Sequence, residues 1–189
     1  MTTIFTWLIA IGISLLFGAR LGLLAGFLLA AVFADIATRK IPNRLVFFGM
    51  IIGFLAQAFL PGGDGLLSAF KGLLFGFGLF LPLYLLRVMG AGDVKLMAMV
   101  GCFSGSPAIF GVVLCTLLAG GVLSLIFSLK MKAFRQMLNN VKFMIFIKSI
   151  RTAGGGLAST DDMVGSVGTL PYAMAIAIGT AGYLVWQDI

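Results

Sequence analysis

Histidine does not occur anywhere in this chain of 189 residues, and neither does glutamate. Without an imidazole there is no Ser-His or Cys-His nucleophile, and most zinc sites lose their usual ligand. Cysteine is reduced to Cys102 and Cys115, each alone in an apolar stretch and without a CxxC partner. Such thiols act as small packing residues, not as a redox or metal pair. Charge is sparse as well, at 10% of residues, where a soluble domain has roughly 25%. With glutamate missing, every acid is an aspartate, at 35, 64, 93, 161, 162 and 188. Carboxylate chemistry therefore has few candidates, and no metal or other cofactor is implied.

What remains is apolar. Hydrophobic residues make up 61% of the chain, and the mean hydropathy is +1.16, which is the composition of an integral membrane protein. The 26 glycines lie within apolar runs such as 72–78, as in close-packed membrane helices. Crossing a bilayer takes about 20 apolar residues. Candidate spans are Ile4–Phe17, Leu21–Ile36, Leu45–Leu60, Leu66–Leu86, Val94–Phe103, Pro107–Leu129 and Leu170–Trp186. The fifth is short. The first lacks the basic start and small-residue cleavage site of a signal peptide and reads as a retained helix. The expected fold is all-α: a polytopic membrane helix bundle of six to seven transmembrane helices in one domain over 1–189. Residues 1–20 form an extra N-terminal helix in this reading. Residues 130–168 supply a cytoplasmic amphipathic helix, with apolar residues at helical spacing among lysines and arginines, and a loop after it.

Basic residues set the orientation. Arg39, Lys40 and Arg44 fall in one loop, Arg87 and Lys95 in another, and Lys130 to Arg151 holds a third group. Alternating the spans places all three on one side, with Arg20 and Lys71 left near the other. The positive-inside rule makes the basic side cytoplasmic. The net charge of +7 then signals orientation and contact with membrane lipids, and nothing suggests nucleic acid.

Two aspartates interrupt this pattern. Asp35 ends an apolar run, and Asp93 lies in the polar break Gly90-Ala91-Gly92-Asp93-Val94-Lys95. A carboxylate facing lipid is costly, so such residues face protein or water and usually have a function. The alternation puts both at the cytoplasmic edge. Gly90 and Gly92 would permit positive φ, or a close approach by a substrate strand, beside Asp93. The plainer reading is a tight turn with Asp93 as a helix cap.

Taken together, Asp35-Ile36-Ala37-Thr38-Arg39-Lys40-Ile41-Pro42-Asn43 and Gly90-Ala91-Gly92-Asp93-Val94-Lys95 resemble the motifs of the type IV prepilin peptidases. These are membrane aspartic proteases of the GxGD type. The resemblance implies Asp35 and Asp93 as the catalytic pair, with Gly90, Gly92 and Lys95 as supporting motif residues. Leu170-Pro171-Tyr172-Ala173 is similar to the family's C-terminal Pro-aromatic stretch. The likeness runs over about residues 21–187. Long members of the family carry a cysteine-bearing cytoplasmic insertion and also N-methylate their product. This chain has neither the insertion nor the cysteine pair, and resembles the short, peptidase-only form that accompanies tight-adherence (Flp) pili.

The implied activity is removal of a short basic leader from prepilins or pseudopilins at the cytoplasmic face of the bacterial inner membrane, without methylation. Helix-end electrostatics suggest Asp93 as the resting base and Asp35 as the resting acid. Two other classes stay open from the residues alone: a small transporter or channel using boundary aspartates, and an inactive pilus-assembly homologue. The oligomeric state has no signature in the sequence.

Overall fold

Glycine, proline and one left-handed arginine divide the chain into helices. A computed structural model describes residues 18–60, 64–86, 88–130 and 172–187. The helices are α1 (Ala19–Thr38), α2 (Asn43–Phe59), α3 (Leu66–Leu85), α4 (Ala91–Ser104), α5 (Ala108–Lys130) and α6 (Tyr172–Gln187), and no strand occurs among the described residues. α1 stops where Arg39 turns to φ 54° and donates its N–H to the Asp35 carbonyl at 2.9 Å. Pro42, extended at φ −63° and ψ 126°, sets up the start of α2. Glycines at positive φ, Gly65 at 89° and Gly105 at 70°, form the breaks before α3 and after α4.

Of the two compact units in the chain, the first comprises 1–120 and 171–189, and the second 121–170. The second is described only over 121–130, the end of α5. The first is built around α4. Val94, Leu96, Met97, Met99, Val100, Cys102 and Phe103 are all buried, so α4 shows no exposed stripe and reads as a central helix. α3 packs most closely against it. A Cβ on Gly72 would run into the Gly101 carbonyl, and one on Gly76 would lie 2.6 Å from the Met97 oxygen. α2 approaches through Gly53, where a Cβ would lie 2.9 Å from the Cys102 Cβ. Small residues thus let the backbones close around α4.

Ala19–Thr38, Leu66–Leu85 and Ala108–Phe127 are long and apolar enough to cross a membrane, and Asn43–Phe59 is a shorter apolar helix. The 14 residues of α4 rise about 21 Å, short of the ~30 Å hydrocarbon core. The expected helix at Ile4–Phe17 and the amphipathic segment and loop at 130–168 fall outside the described residues, apart from Lys130 at the end of α5.

Candidate active site

Asp35 lies one turn before the end of α1, and Asp93 is the third residue of α4. Both are shielded, at 8% and 9% exposure. Each carboxylate accepts a backbone N–H. Asp35 Oδ2 takes that of Ala173, 138 positions later, at 3.2 Å, and Asp93 Oδ2 takes that of Gly90 at 3.1 Å. The fold brings the two acids together closely enough for the charge of Asp35 to act on Asp93. Asp93 lies outside the three candidate spans. Burial pushes its carboxyl up to about 6 from 3.8, the Gly90 N–H opposes that, and Asp35 adds to it. Helix-end reasoning favours the anion of Asp93, and burial acts against it.

The positive φ that the glycines would permit does not occur. Gly90 has φ −79° and ψ 155°, Gly92 is inside α4, and neither takes a positive φ. Gly90, not Asp93, is the N-cap, and the Asp93 side chain returns from the third helical position to the Gly90 N–H. A Cβ on Gly90 would meet little, with Asp93 Oδ2 at 3.4 Å. One on Gly92 would lie 3.3 Å from Cβ of Ile41. Gly92 therefore admits the Ile41-Pro42-Asn43 loop of the same chain against the start of α4.

Lys95 makes the second link between the two motifs. Its Nζ donates to Asn43 Oδ1 at 3.0 Å. Thr38 Oγ1 donates within its own turn, to the carbonyls of Ala34 at 2.9 Å and Lys40 at 3.1 Å. α6 supplies a partner for one acid, Ala173, which donates its N–H to Asp35, and begins one residue earlier at Tyr172. The resemblance marks the Leu170-Pro171-Tyr172-Ala173 stretch without assigning it a place in the site. Nothing local in it points to a contact with Asp35.

A family model described as the type IV leader peptidase family matches residues 22–125, more than half of the chain and inclusive of both acids. The chain belongs to that family. No curated protein and no solved structure matches it. As a member of the type IV leader peptidase family it is a protease, and its long apolar helices suit a membrane-associated one.

The remaining described aspartate of the peptidase, Asp64, lies elsewhere. With Arg20, Leu24, Phe103, Ser104 and Tyr183 it lines a cavity of about 250 Å³. Arg20 and Asp35 are 15 positions apart on α1, about 22 Å along the helix. That cavity does not include either buried acid. Among the described residues, no three His, Cys, Asp or Glu side chains cluster as metal ligands do.

Proposed function

We propose that this peptidase is a membrane-embedded aspartic endopeptidase with Asp35 and Asp93 as its catalytic pair. Its substrates are prepilins or pseudopilins, from which it removes a short basic leader at the cytoplasmic membrane face, without N-methylation. The observation that carries this reading is the meeting of two shielded carboxylates from separate motifs within the family match.

Two close carboxylates share one proton between them. Asp93 is assigned the proton, because burial and the charge of Asp35 both favour its neutral form. Asp35 then acts as the base, the reverse of the order expected from helix ends. In this scheme Asp35 takes a proton from a water whose oxygen bonds to the scissile carbonyl carbon. Asp93 gives its proton to the carbonyl oxygen, forming a tetrahedral diol. Collapse breaks the C–N bond, with the proton on Asp35 passing to the departing amine and a diol proton returning to Asp93. Gly92 and the Lys95–Asn43 hydrogen bond keep the Ile41-Pro42-Asn43 loop against α4.

The proposed architecture has six to seven transmembrane helices in one domain, with 130–168 on the cytoplasmic side. The test is cleavage of a purified prepilin by the reconstituted peptidase. Asp35→Asn and Asp93→Asn should each lose more than about 1,000-fold in kcat, while Asp64→Asn stays close to parental. Normal cleavage by either of the first two variants would remove the aspartic mechanism. A parental protein that cleaves no prepilin would favour the inactive assembly homologue.

A further inference from the structure

The first turn of α6 is the part of the site that neither aspartate motif supplies. Ala173 is fully buried, and its N–H is one of the helix-starting donors that have no acceptor within their own helix. A buried donor of that kind needs a partner, and here the partner is Asp35 Oδ2 at 3.2 Å. Within α1, Asp35 spends its own carbonyl on Arg39, and its side chain hydrogen-bonds across to α6. The turn itself is wedged in place. The Tyr172 ring meets Phe80 of α3 edge-on, with centroids 6.4 Å apart. It also occupies the space a side chain on Gly120 would need, since a Cβ there would lie 2.7 Å from the Tyr172 hydroxyl.

We propose that this turn is a positioning device for the dyad: the backbone N–H of Ala173 fixes one oxygen of Asp35 and leaves the other, Oδ1, aimed at the attacking water. This rests on the reading of Asp35 and Asp93 as the catalytic pair. Without the N–H, a carboxylate turns about its side-chain bonds and samples orientations from which the water is not activated. A misplacement of about 1 Å is enough to cost on the order of 100-fold in rate. Because the proposed role of Ala173 acts through Asp35, the loss should fall on kcat and not on KM.

The probe is a synthetic peptide with a basic leader, a glycine and an apolar segment of about 20 residues, cleaved by the full-length peptidase in lipid vesicles. Ala173→Pro removes the N–H in the first turn of α6, at a fully buried position where the ring also needs room. Replacing Ala173 by its α-hydroxy analogue through nonsense suppression converts the same N–H to an ester oxygen with almost no change of shape. Ala173→Gly keeps the donor. Proline and ester variants should lose about 10- to 100-fold in kcat with KM unchanged, while the glycine variant stays near parental. Should proline prevent insertion, the ester variant decides alone. An ester variant with parental kcat overturns the proposal, and so does a glycine variant as slow as the ester, which would make the role one of packing. Asp35→Asn separates the two levels. If it is inactive while the ester variant is parental, only the positioning role falls; if it cleaves normally, the dyad falls and the positioning role with it.

Discussion

Asp93 carries a stability cost that depends on pH. With its carboxyl pushed up to about 6 from 3.8 by burial, it binds its proton more tightly folded than unfolded. Its contribution to stability is therefore fully present below pH ~4 and declines as pH rises through about 6, where the buried group must ionise. Asp93→Asn removes that cost and retains an oxygen to accept the Gly90 N–H. This variant should accordingly be more stable than the parent at pH 8, by about 1–3 kcal/mol, and no more stable at pH 4. Thermal melts at both pH values check this, and an equal shift at the two would mean that the gain has nothing to do with ionisation. The neighbouring glycines separate in the same way. Ala at Gly92 presses on Ile41 at 3.3 Å, whereas Ala at Gly90 meets little. Gly92→Ala should slow cleavage several-fold, equivalent to about 1 kcal/mol, with Gly90→Ala close to parental. Equal cleavage rates for the two would show that the Ile41 contact does not matter. The sequence treats these glycines alike, but which one carries a contact depends on Ile41, in a loop remote in the chain, and no local pattern encodes that.

At the level of helices, the site is held by a few ties between elements that are remote in the chain. Lys95 of α4 donates to Asn43 of α2 at 3.0 Å, and both are exposed, so the bond should contribute only about 0.5–1.5 kcal/mol. A cycle of Lys95→Met, Asn43→Ala and the pair should give that coupling in cleavage rate; strictly additive losses would show that the two act separately. Close packing is worth more. Gly72→Ala forces a Cβ onto the Gly101 carbonyl, while a Cβ on Gly78 meets nothing within 4 Å. Detergent melts should show the first variant markedly destabilised and the second unchanged. Helix positions were largely legible in advance, because apolar runs bounded by Pro42, Gly65, Gly90 and Gly105 leave little choice of where helices begin and end. The lack of any exposed face on α4 was not legible. An apolar run reads alike whether lipid or other helices surround it, and the small residues that bring α3 close sit on another segment. The two acids were visible as charges in the wrong surroundings, whereas the hydrogen bond from Ala173 was not, since a backbone N–H has no signature in a sequence.

Across the molecule, hydrogen bonds sort the helix ends into two groups. At one end lie the end of α1 with Asp35, the starts of α2 and α4 with Asn43, Asp93 and Lys95, and the start of α6 with Ala173. At the other, Arg20 near the start of α1 donates to Gln57 near the end of α2 at 2.7 Å, and Ser68 near the start of α3 bonds Ser106 just after α4. α1 and α3 therefore run toward the aspartate end, and α2, α4 and α6 away from it. Arg39, Lys40, Arg44 and Lys95 belong to the aspartate end, and Arg20 and Lys71 are nearer the other. Cytoplasmic loops carry the excess of lysine and arginine, so the aspartate end should face the cytoplasm, where a newly made leader would still be attached. Single cysteines at exposed positions 40 and 64, in a background with Cys102 and Cys115 replaced, test this on intact cells. A membrane-impermeant maleimide should label position 64 at once and position 40 only after permeabilisation. The opposite pattern would put the acids on the external face, out of reach of a cytoplasmic leader, and the proposed substrate would have to be abandoned even with the dyad intact. Labelling of both positions in intact cells would instead mean that the alternation does not correspond to a membrane crossing.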